Sequence, residues 1–135
     1  MRCTILVVAI AIAVTSSGHA VADDPVVWSV AGQQVLRLRA PYKSLTPEQR
    51  VEQLDERLTE MLSVAARPIG PADICLKVTS KETVSITING KVLVTVSAAD
   101  AAANNCSPRR LAEIWLANVR KTVPLLNPRE NRGGA

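Results

Sequence analysis

Phenylalanine is missing altogether from the 135 residues, tyrosine occurs once and tryptophan twice. Val, Leu and Ile must therefore fill any core, and each one truncated there costs roughly 2–5 kcal/mol. Histidine occurs once, as His19, inside an N-terminal stretch with the pattern of a removable leader. Downstream of it, Ser-His-Asp and Cys-His relays lack their base. Two downstream cysteines without histidine do not complete a zinc tetrahedron. Gly32, Gly70 and Gly90 stand alone, so no glycine-rich phosphate loop is present. These absences predict no catalytic residue, no metal site and no cofactor, and hence a protein that is not an enzyme. Charge of one sign is also scarce: the formal balance is +4, or about +3 without the leader. That excess is too small and too dispersed to point to nucleic acid.

The N-terminus places basic Arg2 before an apolar run over residues 5–14. Polar Thr15-Ser16-Ser17-Gly18 follows, then Ala20-Val21-Ala22 ahead of Asp23-Asp24. This order predicts a secretory signal peptide cleaved near Ala22. The run of about 10 apolar residues is half the roughly 20 that a membrane anchor needs. Cys3 precedes the run, whereas a lipoprotein cysteine would follow it. The expected organisation is a signal peptide over 1–22, one domain over 23–124, and a disordered tail over 125–135. The mature chain is expected in the periplasm or secreted, with no transmembrane segment.

Two strand-like runs, Val26-Val27-Trp28-Ser29-Val30 and Val35-Leu36-Arg37-Leu38-Arg39, read as an opening hairpin. Thr46, Pro47 and Gln49 carry the residue pattern of a helix start with a capping box. Val51, Leu54, Leu58, Met61, Leu62 and Ala65 then recur at helical spacing. Arg50, Glu52, Asp55, Glu56, Arg57 and Glu60 are assigned to the wet face of that helix, which should stop near Arg67 ahead of Pro68. Ile74, Leu76 and Val78 alternate with polar residues, as do Val84, Ile86 and Ile88. Asn89-Gly90 joins the latter to Val92, Val94 and Val96 as a two-residue hairpin turn. A second helix is expected from about Pro108 to Val123, after a small-residue connection capped by Asp100. The order ββαβββα predicts an α+β fold: a single mainly antiparallel sheet of about five strands with two amphipathic helices on one face. The other face, with Lys77, Ser85, Thr87 and Thr95, is left to water or a partner.

The segments "VAGQQVLRLRA", "TPEQRVEQLDERL", "SITINGKVLVTVSAADAAANN" and "SPRRLAEIWLANVR" together resemble an extracytoplasmic domain. That domain precedes the membrane region in some bacterial small-conductance mechanosensitive-channel-like proteins. The resemblance spans roughly residues 26–123. It implies a sensory or interaction module outside the membrane, here without the channel that would follow it.

Four positions stand out as candidate sites. Cys75 and Cys106 fit one disulfide, with unpaired thiols and redox chemistry as alternatives. Closing a loop of about 30 residues would contribute roughly 3–4 kcal/mol in the chain-entropy model. Arg109 and Arg110 sit in the first turn of the second helix, where the dipole disfavours cations. They serve either surface pairing or contact with an anion or partner. Trp28 on an outer strand is a further candidate for partner contact, whereas Trp115 reads as core. The loop over residues 67–72 is the one segment suited to an inhibitor's reactive loop.

The leading expectation is a non-enzymatic exported interaction or sensory module of the bacterial envelope, whose partner is an envelope or membrane protein. The competing class is an anionic envelope-ligand-binding domain, or a small enzyme using carboxylates with Arg109 and Arg110. Export itself is directly measurable: N-terminal sequencing of protein recovered from cells should begin at Asp23, and a chain retaining Met1 would refute the cleavage.

Overall fold

A computed structural model describes residues 25–127; the expected leader and most of the expected tail, residues 128–135, lie outside them. The first hairpin forms from β1 (Val26–Val30) and β2 (Gln33–Leu38), joined by Ala31 and Gly32, both at positive φ. Gly32 adopts this conformation without the Cβ clash that other residues meet there. Helix α1 (Pro47–Val64) follows, with the capping box as expected. Thr46 Oγ1 accepts from the Gln49 N–H at 3.2 Å, and Gln49 Oε1 accepts from the Thr46 N–H at 3.0 Å. A short 3-10 turn, Pro71–Asp73, leads into β3 (Ile74–Ser80), β4 (Thr83–Ile88) and β5 (Lys91–Val96). Asn89 and Gly90 turn the β4–β5 hairpin at positive φ, the geometry that this residue pair favours. Helices α2 (Ala98–Ala103) and α3 (Pro108–Thr122) and a 3-10 turn, Val123–Leu126, complete the described chain.

The fold is α+β, but the five strands do not form one sheet. β1 and β2 make a two-stranded sheet, and β3-β4-β5 make a separate antiparallel meander. Helices close one edge of each sheet with side-chain contacts. Along β5, α1 places Arg57 Nη1 on the Leu93 carbonyl at 3.0 Å and Arg50 Nη2 on the Thr95 carbonyl at 3.2 Å. Along β2, Asn118 Nδ2 of α3 donates to the Val35 carbonyl at 2.8 Å. The hairpin thus packs on α1 and α3 instead of pairing with the meander, and α3 spans β2, β3, β4 and β5.

One continuous aliphatic core results. Ile74, Ile86, Ile88, Val96 and Leu93 from the meander meet Leu111, Trp115 and Val119 from α3, with Leu54 and Leu58 from α1. The opposite face of the meander is more closed than its polar pattern implied. Lys77 is exposed, but Ser85 and Thr87 of the central strand are buried, and the Ser85 and Thr95 hydroxyls lie 3.3 Å apart.

Arg50 departs furthest from expectation, because it is buried rather than solvated. It lies four residues before Leu54, on the stripe that continues through Leu58 and Met61, and is only 4 % exposed. Its Nη1 donates to Asp100 Oδ1 at 2.6 Å and its Nη2 to Asp100 Oδ2 at 3.0 Å, a bidentate pair. Nη1 also reaches the Ala40 carbonyl at 2.8 Å. Removing one partner strands the other in a dry interior, so Arg50→Met should lower unfolding free energy by about 3–5 kcal/mol in urea titration. Adding Asp100→Leu should recover part of that loss; a double variant no more stable than the single would refute the ion-pair account.

Candidate functional site

The cleft that brings sequence-predicted site residues together lies between β2 and α3 and has a volume of about 460 Å³. β2 contributes Gln34 and Arg37, the α2–α3 connection contributes Cys106, and α3 contributes Arg110, Ile114 and Trp115. The start of α3 is local chemistry: Ser107 Oγ accepts from the Arg110 N–H at 3.2 Å, and Pro108 takes the first helical position. From that start, Arg110 and Ile114 are one turn apart and line the same wall. Ile114 is 43 % exposed although it belongs to an apolar helix face. Trp115 is buried in the core and borders the cleft.

Electrostatically, the cleft carries an excess of cations. Arg110 Nη1 lies 3.9 Å from Glu113 Oε2, while Arg109 Nε lies 3.3 Å from Glu113 Oε1. One carboxylate therefore serves two guanidinium groups. All three side chains are largely exposed, so the pairing stabilises the fold by at most about 1 kcal/mol. Arg37 Nη2 donates to Gln34 Oε1 at 3.2 Å and, among the described residues, has no carboxylate partner. The structure thus separates the expected arginine pair: Arg110 lines the cleft with Arg37, and Arg109 does not. Arg37 was read only as the outward position of a strand. Sequence spacing gives no sign that it meets a helix start more than seventy residues away.

Trp28 does not face a partner. It is 1 % exposed, and its Nε1 donates to Asp55 Oδ1 at 2.7 Å, which satisfies the indole as it enters the core. Asp100, expected as the cap of α2, is its third residue instead; Ser97 is the N-cap. Ser97 Oγ accepts from the Asp100 N–H at 3.2 Å, and Asp100 Oδ2 accepts from the Ser97 N–H at 3.1 Å. With Arg50 also bound, its carboxylate is fully engaged.

Cys75 and Cys106 are free thiols, not the expected bridge. Cys75 is exposed on the face of β3 opposite Ile74, whereas Cys106 packs beside the core at the start of α3. The α3-covered core face of the meander separates these two environments. The loop over residues 67–72 is equally unsuited to be a reactive loop. Ile69 is buried, and the Asn127 side chain accepts from its N–H at 3.0 Å and donates to its carbonyl at 2.8 Å. Nearby, the Gly70 N–H and then the Arg67 guanidinium hold the Asp73 carboxyl below the usual carboxylate range.

By fold and site, this is a small α+β domain of helix-flanked antiparallel sheets with an open, basic-rimmed cleft. Within that class, the chain belongs to the family described as Domain of unknown function (DUF8459), which matches residues 25–124. No curated protein and no solved structure matches the chain. Among the described residues, no helix is long and apolar enough to cross a membrane.

The thiol environments set a clear expectation. A thiol reagent added to the folded protein should modify Cys75 quickly and Cys106 slowly, with both reacting after denaturation alone. A chain that yields thiols only after reduction would restore the disulfide.

Proposed function

We propose that the protein is a non-enzymatic interaction module, exported to the bacterial envelope, and that the β2–α3 cleft is its recognition surface. The carrying observation is that Ile114, 43 % exposed, shares this cleft with Arg37 and Arg110. An apolar side chain held half in water beside two cations suits a partner segment that brings an apolar group next to a carboxylate. Aromatic and arginine residues dominate binding energy where such surfaces become desolvated. Arg110 at the rim supplies one such residue, over a wall backed by the buried Trp115. The leader-like N-terminus supports an envelope location, and the resemblance to extracytoplasmic modules supports a sensory or docking role beside a membrane protein.

An enzymatic reading has less to stand on. The buried carboxylate of Asp100 is taken up by Arg50 and Ser97, and Glu113 is exposed on α3, bound to the two arginines. Neither is poised as a base beside a nucleophile.

Arg110→Glu and Ile114→Glu alter exposed positions and should change unfolding free energy by no more than about 0.5 kcal/mol. Each should nevertheless abolish recovery of the envelope partner that crosslinks to the native protein, while Arg109→Ala, outside the cleft, should retain it. A partner held equally by all three variants would refute the cleft as the surface. Turnover of an envelope substrate by the purified protein would refute the non-enzymatic reading.

A further inference from the structure

The strand edges of this domain are treated unequally. On β5, Arg50 and Arg57 occupy the Thr95 and Leu93 carbonyls, and on β2 Asn118 occupies the Val35 carbonyl. On β3, the outer edge of the meander, Arg120 Nε reaches the Ile74 carbonyl at 2.9 Å. Beyond Ile74 the edge is bare. The Asn89 N–H donates to the Asp73 carbonyl at 2.9 Å, which turns Asp73, Cys75 and Lys77 toward β4. Ile74, Leu76 and Val78 then direct their N–H and C=O groups outward, as antiparallel alternation requires. Among the described residues, nothing donates to or accepts from those groups of Leu76 and Val78. Val78 is also 57 % exposed, at the margin of the row that includes buried Ile74.

We propose that the outer edge of β3 is a strand-addition site for an extended partner segment of apolar-acidic-apolar pattern. Bare backbone donors and acceptors of this kind template a further strand, with main-chain bonds giving affinity and alternate side chains giving specificity. Lys77 selects the occupant. The partner residue opposite Lys77 shares its solvent-facing side and is favoured when acidic, whereas its two neighbours meet Leu76 and Val78 and are favoured when apolar. A second copy is the poorer fit. A two-fold pairing that uses both bare positions sets Leu76 against Val78 and the two Lys77 side chains directly opposite each other, where like charges repel. The edge lies on a different strand from those lining the β2–α3 cleft, so the two surfaces stand or fall separately.

The test uses the isotope-labelled full chain and two end-blocked synthetic peptides, Thr-Val-Glu-Val-Thr and Thr-Val-Lys-Val-Thr, with amide hydrogen exchange as the readout. The Glu peptide should slow exchange at Leu76 and Val78 and leave Arg110 and Ile114 unaffected, and the Lys peptide should bind roughly two- to fivefold more weakly. Lys77→Glu, which leaves the backbone intact, should reverse that order. Val78→Pro removes an outward N–H at a position where an edge strand tolerates proline, and should abolish the protection. Unchanged exchange with both peptides would overturn the proposal, as would an order of affinities indifferent to Lys77→Glu. Leu76 and Val78 amides already protected in the free protein would overturn it too, by showing the edge taken by a second copy or by the chain itself.

Discussion

A buried guanidinium holds this domain together across long stretches of sequence. Arg50 binds a carbonyl 10 residues away, another 45 away and a carboxylate 50 away. It thereby joins α1, the end of the first hairpin, β5 and α2 at one point. The 5.5 Å approach of its guanidinium carbon to the Tyr42 ring centroid covers the group from a further side. Moving both charges out of water opposes folding by several kcal/mol per ion, which attraction offsets only when every remaining donor and acceptor is used. Here each terminal nitrogen of Arg50 makes two hydrogen bonds. Asp100 takes both arms of Arg50 and the Ser97 backbone, so an alternative packing of α1 would orphan several polar groups at once. The pair's contribution is therefore to specify one arrangement, whereas the aliphatic core supplies the driving force.

The same helix closes one edge of the meander. Arg50 and Arg57 are seven residues apart, close to two helical turns, and so project from one side of α1. Their targets on β5, Thr95 and Leu93, are two residues apart and so share one outward edge. This match of helical and strand periods lets α1 close the edge with side chains instead of another strand. The first hairpin packs through side chains, with its buried Trp28 held to α1 through Asp55. At the β5 edge, the arginines of α1 stand where a further strand would pair.

What the sequence revealed was local. The Thr46 box, the Ser107-Pro108 start and the Asn89-Gly90 turn depend on neighbours within three or four positions, and each formed where its residues predicted. The α+β class followed from periodicity alone. The partition of the strands did not, because edge pairing depends on α1 carbonyl contacts 36 and 45 residues distant. Arg50 was assigned to solvent by its charge, although its place four residues before Leu54 put it on the buried stripe. Trp28 was offered as a partner contact and Asp55 was assigned to the wet face, because neither residue's pattern carries information about the other. Of the site, Arg110 and Cys106 were already singled out from their position at a helix start. Arg37 became part of it only when β2 was laid against α3.

The proposed cleft inherits its rigidity from these contacts. One wall, β2, is fixed to the other by Asn118 Nδ2 on the Val35 carbonyl, and α3 is anchored by Leu111, Trp115 and Val119 in the core. Neither wall needs to fold or reorganise when a partner arrives, so the ordering penalty that usually erodes affinity is confined to exposed side chains. Among these are Arg37 and Arg110, and Arg110 shares Glu113 with Arg109, so an incoming carboxylate would add the anion that the rim lacks. Preorganisation of the walls and the cationic excess of the rim thus act in the same direction. The scarcity of aromatic residues then becomes a constraint on recognition as well as on packing: Trp28 and Trp115 are both consumed by the core, so selectivity must rest on charge and on the shape around Ile114.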